Sequence, residues 1–389
     1  MPWQQTNHVD ERLKFVAAAK EARESMTELC ARFGISRKTG YKLLRRYQEE
    51  GPEGLRDRSS APREHPNRTP REVERAILRV RKAHPSWGSK KILVVLGRDM
   101  DEAKLPARST VDAILSRAGL VTPRRRRQRG PARSAPVVEA SGPNDVWSID
   151  YKGWFRVGDG TRCDPLTVND VATRMSLECR ALVSPKTEDV QRHLEWAFVE
   201  FGLPGWMLSD NGPPFGSTGL GGLSRLGVWL LKVGVRPVFI QPGHPEQNGR
   251  HERFHGTLKR ETASPLGPSI RAQQARFDKF RKTFNEERPH EALDMRCPAD
   301  LYEPAWREMP SRLEDFEYGD GVETRRVRGD GSIKWAGEHV FVGSAMGGEV
   351  VGLERVENAA GLHVYLGPVC LGALVESSGV IVPLAEPAQ

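Results

Sequence analysis

Residues 144–305 alternate short apolar runs with a helical pattern, and this order restricts what the chain can fold into. The helical pattern, with apolar residues on one face, covers residues 187–202. The predicted strands are 146–155, 165–170, 175–183 and 206–209. Strands in this order with helices predict an α/β domain in which one sheet is flanked by helices.

Three acidic residues stand at informative places in this stretch. Asp150 and Asp210 end short apolar runs, where a strand would hold each carboxylate at the edge of the sheet, and Glu252 falls in the first turns of a predicted helix. Mg²⁺ prefers oxygen ligands, and a pair of ions about 3.5–4 Å apart stabilises both oxygens of a phosphoryl displacement. The three carboxylates therefore predict a site for two divalent metal ions.

The charge of the chain is unevenly distributed. The whole sequence carries 59 Lys and Arg against 51 Asp and Glu, for a net charge of +8. Residues 1–143 hold 31 Lys and Arg against 17 Asp and Glu, net +14, which leaves net −6 for residues 144–389. A concentrated positive charge attracts phosphates, so the first part of the chain is the predicted DNA-binding part.

Residues 1–60 predict a helix-turn-helix DNA-binding domain. Ser25 and Glu28 form a capping box before one helix, Gly34 ends it, and Ser36 can cap a second helix over residues 37–49. The side chains predicted to face DNA from this second helix are Arg37, Lys38, Thr39, Lys42, Arg45 and Arg46. Those predicted to face inward are Tyr41, Leu43, Leu44 and Tyr47. The alternative is a plain helical hairpin with a solvated basic face.

A second, winged helix-turn-helix domain is predicted for residues 69–121, with Ser109 capping its third helix. Residues 122–143 then form a predicted linker rich in Arg and Pro. Its four consecutive arginines are Arg124, Arg125, Arg126 and Arg127. Such a run is often only a solvated tail, but beside a DNA-binding domain it favours contact with a phosphate backbone or a minor groove.

The last part of the chain, residues 316–384, predicts a small all-β domain. Its apolar runs are 332–335, 339–342, 349–356, 362–366 and 369–374, separated by turns rich in Gly and Asn. Five such strands favour closure into a barrel-like fold.

Composition also bears on cellular location. The five cysteines form no Cys-x-x-Cys pair, which disfavours a disulfide framework and a zinc knuckle. No apolar run approaches the roughly 18 residues of a membrane span, and the first residues show no signal-peptide pattern. We expect a protein of the reducing cytoplasm, without a membrane partner.

Four motifs in this order resemble the integrase-type catalytic core of bacterial insertion-sequence transposases, and insertion sequence 481 is the type they resemble most. The motifs are Trp147-x-x-Asp150, Ser209-Asp210-Asn211-Gly212, Pro245-x-x-Asn248-Gly249-x-x-Glu252-Arg253-Phe254-His255, and Phe284-Asn285-x-x-Arg288-Pro289-His290. The resemblance implies a ribonuclease-H-like integrase core at residues 144–305, within a multidomain chain. It also implies a metal-dependent recombinase that binds the terminal inverted repeats of its element.

In that family the three carboxylates are the metal ligands. The resemblance thus implies that Asp150, Asp210 and Glu252 hold two Mg²⁺ ions, with Mn²⁺ as a substitute. Lys259 lies seven residues after Glu252 on the same helical face and could contact the DNA end. Two DNA ends must be handled together, so a homodimer or a larger synaptic assembly is implied.

Three alternatives stay open. Asp210 and Glu252 are 42 positions apart, more than in retroviral relatives, which leaves Glu246 as a rival third ligand, although Pro242 and Pro245 make its placement less rigid. A second alternative is a zinc peptidase, because residues 251–255 spell His-Glu-x-x-His. The third is a DNA-binding regulator with an inactive core, for which the helix-turn-helix domains would suffice.

Overall fold

The computed structural model describes residues 7–59, 68–121, 137–356 and 361–384. The chain divides into two compact units, residues 1–68 and residues 69–389. Arg124, Arg125, Arg126 and Arg127 of the predicted linker lie outside the described residues. Within the described ranges, no helix is both long and apolar enough to cross a membrane.

The first unit is a bundle of three helices: α1 (His8–Glu21), α2 (Met26–Arg32) and α3 (Arg37–Glu50). The Ser25 capping box is present at the start of α2, and the Ser36 side chain accepts a hydrogen bond from the Thr39 backbone N–H at the start of α3. The helices pack around an apolar core. This core contains Phe15, Val16, Leu29, Cys30, Leu43 and Leu55.

Two side chains of α3 differ from expectation. Arg46 was expected to face DNA, but it is only 8% exposed and its guanidinium donates a hydrogen bond to the Arg56 carbonyl. The reason is the 3₁₀ turn Gly51–Leu55, which folds back so closely that a Cβ on Gly54 would lie 2.3 Å from the Arg46 carbonyl oxygen. Tyr41, expected inside, is 53% exposed. The other predicted contact residues of α3 are exposed.

The second unit begins with three helices, α4 (Arg71–Ala83), α5 (Ser89–Leu96) and α6 (Arg108–Arg117). They pack around Ile77, Trp87 and Ile92. The predicted Ser109 cap is wrong, because the N-cap of α6 is Ala107, two residues earlier, and it has no side-chain cap. Described residues 68–121 contain no β-strand, so the predicted wing is not found there.

The α/β part of this unit is built on a mixed sheet. Its strands are β1 (Val146–Tyr151), β2 (Phe155–Arg156), β3 (Arg162–Asp170), β4 (Ser176–Leu182), β5 (Trp206–Ser209) and β6 (Arg236–Phe239). Its helices are α7 (Thr187–Phe201), α8 (Arg225–Lys232), α9 (Gly249–Thr262) and α10 (Ile270–Lys282). The order is β4-β3-β1-β5-β6, with β3 antiparallel to β1 and β4, and with β1, β5 and β6 parallel.

Two details of this sheet differ from the sequence prediction. The first strand was expected to reach residue 155, but β1 ends at Tyr151, and Gly153 follows with a φ of +83° that a strand does not use. The strand β6 was not predicted, because its sequence Arg-Pro-Val-Phe contains a proline. Because β6 lies at the edge of the sheet, the N–H that its proline lacks costs no hydrogen bond between strands.

Each face of the sheet is covered by helices. On one face, Trp147 of β1 packs against Phe198 of α7 with ring centroids 5.7 Å apart. A second cluster joins Cys163 and Cys179 of the sheet to Phe254 of α9 and Phe277 of α10. The helix α9 is therefore held against the sheet by apolar contacts.

The C-terminal part is all β and has seven strands where five were expected. These are β7 (Glu323–Arg326), β8 (Ser332–Trp335), β9 (Glu338–Phe341), β10 (Val350–Arg355), β11 (Leu362–Leu366), β12 (Val369–Val375) and β13 (Val380–Val382). The hydrogen bonds form a five-stranded sheet and a separate β8-β9 hairpin around one core. That core also includes Leu223, Val228 and Leu231 from the α/β part.

We predict that Gly40→Ala destabilises the three-helix unit by about 1–3 kcal/mol, the usual cost of overpacking. A Cβ at this position would lie 2.6 Å from Cys30 Sγ and 3.0 Å from Phe15 Cζ, so α3 would have to move outward. Hydrogen exchange of the full-length protein, followed over residues 8–50, measures the effect. Lys42→Ala, on the exposed side of the same helix, should leave protection unchanged, and equal protection in both variants would contradict the packing described.

Candidate active site

Adjacent parallel strands bring two of the predicted carboxylates together. Val146, Trp147 and Ser148 of β1 pair with Trp206, Met207 and Leu208 of β5. The same register continued by two residues places Asp150 beside Asp210, which directly follows β5. One oxygen of Asp210 accepts a hydrogen bond from the Gly212 backbone N–H at 3.1 Å, which fixes the carboxylate in an Asx turn.

The third predicted carboxylate, Glu252, lies close enough to affect the pKa of Asp150. Glu252 is exposed in the first turn of α9. Burial first, and then the negative charges of Asp210 and Glu252, raise the pKa of Asp150 to about 7, against the opposing effects of a Tyr151 backbone hydrogen bond and of Lys152. The predicted triad therefore accumulates negative charge around Asp150. Glu246, the alternative to Glu252 as third ligand, instead has its Oε1 atom 3.0 Å from His244 Nδ1.

The donor set fits a hard divalent cation in its chemistry. Three carboxylates supply oxygen ligands and an excess of negative charge that a bound cation would relieve. Among the described residues, however, no three carboxylate, imidazole or thiol side chains already lie close enough together to hold one ion. Asp150 and Asp210 are held by the sheet and by the turn after β5, so Glu252, whose side chain is exposed, is the group able to move.

A buried hydroxyl connects α9 to the strand that carries Asp150. Thr167 of β3 donates to the Asp150 carbonyl oxygen at 3.1 Å, and its oxygen lies 2.6 Å from His251 Nε2 and 2.8 Å from His255 Nε2. Because a hydroxyl has one proton, both imidazoles must donate to it. Burial lowers the pKa of both histidines, to about 3 for His255, in agreement with neutral rings.

This arrangement contradicts the zinc-peptidase alternative. Such a site needs two imidazole nitrogens free to bind one ion, with the glutamate beside it. In the structure both Nε2 atoms face the Thr167 hydroxyl, and His251 Nδ1 lies 2.9 Å from Ser148 Oγ. The two histidines hold the helix to the sheet, while Glu252 lies on the exposed side of α9.

Three residues that sequence reasoning did not assign also belong to the site. The Asn248 amide donates to Asp150 Oδ2 at 3.2 Å, and its place in the Asn-Gly-x-x-Glu motif was the available signal. Lys152 lies near Asp150, and burial lowers its pKa, as does the nearby charge of Lys259. Nothing in the sequence pointed to Thr167, which meets α9 only through the fold.

The remaining predicted DNA contacts fall in different places. Lys259 is exposed, on the same side of α9 as Glu252. Arg288, a member of the fourth motif, is only 8% exposed and forms an ion pair with Glu261 at 2.6 Å. That pair contributes to the interface with α5, whose Lys91 donates to the Pro289 carbonyl. Arg288 is therefore structural.

Comparison with family models agrees with this architecture. Two models described as an integrase core domain match residues 140–245 and 233–298. The chain contains an integrase core domain. A helix-turn-helix domain model matches residues 11–63, and a homeodomain-like domain model matches residues 39–115. These matches, together with the observed sheets, confirm the expected fold class: helix-turn-helix helices, an α/β integrase core and a C-terminal all-β region.

Two curated relatives come from bacterial insertion elements. The IS407 uncharacterized 31.7 kDa protein of Burkholderia multivorans is 31% identical over 186 residues, 47% of this chain and 65% of the relative. The IS476 uncharacterized 39.2 kDa protein of Xanthomonas euvesicatoria is 29% identical over 180 residues, 46% of this chain and 50% of the relative. The chain thus spans less than two thirds of either. The resemblance to insertion-sequence transposases is confirmed, and the insertion sequence 481 type stays a prediction.

Solved retroviral structures are more distant. The HTLV-2 integrase catalytic core domain in complex with magnesium is 13% identical, with a TM-score of 0.34, over 42% of this chain and 100% of that one. A simian T-cell lymphotropic virus intasome is 15% identical, with a TM-score of 0.37, over 77% of this chain and 99% of the matched one. Likenesses at this distance say nothing about mechanism.

We predict that Thr167→Val lowers the free energy of unfolding of the integrase core by at least about 3 kcal/mol. The change leaves two imidazole N–H groups and the Asp150 carbonyl without their partner, and each such buried group costs about 1–3 kcal/mol. Thr167→Ser keeps the hydroxyl and is the matched control. Thermal unfolding of the full-length variants provides the measurement, and equal midpoints for the valine and serine variants would contradict the hydrogen-bond network described.

Proposed function

We propose that this chain is a DNA transposase that cleaves the ends of an insertion element and joins them to target DNA. The observation that carries the proposal is the placement of Asp150 and Asp210 on neighbouring parallel strands, with Glu252 near enough to raise the Asp150 pKa. An integrase core preceded by helix-turn-helix domains supports the same function.

The three carboxylates would hold the metal ions. Asp150, beside both other acids, would be shared between two sites, with Asp210 completing one and Glu252 the other. The chemistry that Mg²⁺, or Mn²⁺ in its place, supplies in such a pair of sites is activation of the attacking oxygen and stabilisation of the leaving oxygen. Water would be the attacking group in cleavage, and the freed 3′-hydroxyl in strand transfer.

The protein's own groups orient this reaction. The Asn248 amide fixes one Asp150 oxygen, and the Thr167 hydroxyl fixes the backbone that carries it. Lys152 and Lys259 lie close enough to influence each other and would contact the phosphates on either side of the reacting bond. With the substrate held at these points, the attacking oxygen would need little further ordering.

Recognition of the terminal inverted repeats would fall to the first unit. The exposed side chains Arg37, Lys38 and Lys42 lie at the start of α3, the end of a recognition helix that enters the major groove. We infer the domain division 1–60, 69–121, 144–305 and 316–384, with residues 122–143 as a basic linker. Because two element ends must be cut together, the active assembly would be a homodimer or larger.

We predict that Asp150→Asn, Asp210→Asn and Glu252→Gln each abolish strand cleavage and strand transfer, since each removes a charged ligand. Binding to the element's ends should stay nearly unchanged, because no DNA contact is lost. Gel-based cleavage and strand-transfer assays in Mg²⁺, with parallel measurement of end binding, test this. Wild-type protein without any activity would instead favour the inactive regulator.

Glu246→Gln is the matched control for the third ligand, because Glu246 lies in the turn just before α9. We expect it to retain most of the activity. If Glu246→Gln loses activity and Glu252→Gln keeps it, Glu246 and not Glu252 is the third metal ligand.

We predict that replacing Arg37, Lys38 and Lys42 together with Ala erases the preference for the element's ends. These side chains are exposed on α3, so the fold should be unaffected. Competition binding between end sequence and random sequence measures the preference. Replacing Arg124, Arg125, Arg126 and Arg127 should instead weaken binding to every sequence alike and flatten its salt dependence. The opposite pattern would place recognition in the linker.

A further inference from the structure

A cavity of about 140 Å³ lies between α5, the sheet and α9. Arg250, Arg253 and Thr257 line it from α9, one stripe of that helix at positions i, i+3 and i+7. Glu252 and Lys259 belong to a different stripe. The cavity is therefore separated from the carboxylate site by the body of the helix, although Ser148, two residues before Asp150, forms part of its wall.

The wall of the cavity is strongly cationic. Arg174, Arg250, Arg253, Arg288 and Lys91 all line it. Its acidic member, Asp170, is already engaged, since its two oxygens accept hydrogen bonds from the Asn144 and Thr173 backbone N–H groups and from the Thr173 hydroxyl. Within the described ranges, Arg288 is the one of these five cations whose charge is balanced by a direct ion pair, with Glu261.

Two of these arginines lack any partner among the described residues. The guanidinium groups of Arg174 and Arg253 form no hydrogen bond or ion pair there, and that of Arg250 donates only to the Val171 carbonyl. Burial lowers the pKa of Arg174, and the charges of Arg250 and Arg253 lower it further. Arg174 also has a φ of +65°, a backbone conformation that disfavours a side chain of this kind. The protein thus holds repelling cations together at a cost.

Two residues that line the cavity have a buried polar atom without a partner. His290 is 9% exposed, and its Nε2 has no hydrogen-bond partner in the described part of the chain. Burial lowers its pKa to about 3, and the neighbouring charges of Lys91 and Arg288 act in the same direction. A negatively charged group beside these cations would favour the protonated ring, whose Nε2–H could then donate to it.

Asn169 adds a second such atom. Its amide is placed with the nitrogen 3.3 Å from His251 Nε2 and the oxygen unpartnered. Because His251 Nε2 must donate to Thr167, the amide oxygen is the better neighbour for it, and the hydrogen-bond network favours the reversed amide. The Asn169 NH₂ group then becomes the unpartnered atom, and it is a donor.

We propose that this cavity binds a phosphate group, held by Arg174, Arg250 and Arg253 at its mouth and by His290 and Asn169 inside. Guanidinium groups form paired hydrogen bonds with phosphate oxygens, and the charge of the phosphate would relieve the repulsion between the arginines. A water molecule needs about 10–15 Å³ of such space, so the cavity has room for a phosphate. The proposal is independent of the transposase function.

The bound phosphate would connect two parts of the chain. Lys91 belongs to α5, Arg174 to the turn between β3 and β4, and Arg253 to α9. A ligand that touches all three would tighten the docking of the second helical domain on the integrase core. Its source is either the backbone of bound DNA or a free phosphate compound, and the experiment separates the two.

The test titrates the full-length protein with inorganic phosphate by calorimetry and by thermal shift, with chloride at matched ionic strength as reference. We expect saturable binding and a raised unfolding midpoint. Arg174→Gln and Arg253→Gln should each weaken phosphate binding at least tenfold. In phosphate-free buffer these variants should unfold at the wild-type temperature or above, because each removes a repelling charge. Arg271→Gln, an exposed arginine of α10 outside the cavity, is the matched control.

The outcomes decide both the site and its source. If a short DNA oligonucleotide displaces phosphate from the wild type, the DNA backbone is the natural occupant. If phosphate and DNA bind without competition, the occupant is a free phosphate compound. Absence of saturable binding beyond the chloride reference would overturn the proposal. So would a loss of affinity in the Arg174 and Arg253 variants no larger than in Arg271→Gln.

Discussion

The Thr167 hydroxyl is the contact on which the arrangement of the integrase core depends. It is fully buried, it donates to the backbone of Asp150, and it accepts from His251 and His255. A strand and a helix that are distant in sequence are thereby held at a fixed separation. The helix α9 cannot turn about its axis without breaking these hydrogen bonds. Glu252 lies between the two histidines in sequence, so its backbone is held in place with theirs. The distance between Asp150 and the Glu252 backbone is set in this way.

The helix α9 separates two opposite electrostatic environments. On one side, burial and the carboxylates of Asp210 and Glu252 raise the pKa of Asp150. On another stripe, Arg250 and Arg253 join Arg174 around a cavity. Both clusters contain like charges held together by the fold, and both would be relieved by a bound ion of opposite sign. The helix is thus able to respond to a cation and to an anion through different side chains, with His251 and His255 keeping its backbone in place.

Local rules predicted much of this molecule from sequence. Strand periodicity placed Asp150 and Asp210 at strand ends, and the Ser25 capping box and the Ser36 N-cap located α2 and α3, because these features depend on neighbouring residues alone. Arg46 was misplaced because the turn Gly51–Leu55 covers that side of α3, and helical periodicity cannot show which side a later segment will cover.

The features that sequence could not supply all involve distant segments. The hydroxyl of Thr167 meets residues 84 and 88 positions away, and Arg288 meets both Glu261 and the α5 region. The two motif histidines illustrate the limit most clearly. Their spacing matches that of zinc ligands, yet the fold supplies a threonine where the ion would be. Spacing along a helix shows which side chains share a face, but not what that face meets.

The shared core between α8 and the C-terminal strands has a consequence for evolution. Leu223, Val228 and Leu231 belong to the α/β part by sequence, yet they pack with the β strands. Gly221, in the segment that follows Asp210, lies so near β12 that a Cβ there would be 3.0 Å from Leu371. Recombination between related genes could not exchange the last seventy or so residues as a cassette unless the outer face of α8 changed with them. The two regions are therefore expected to be inherited together.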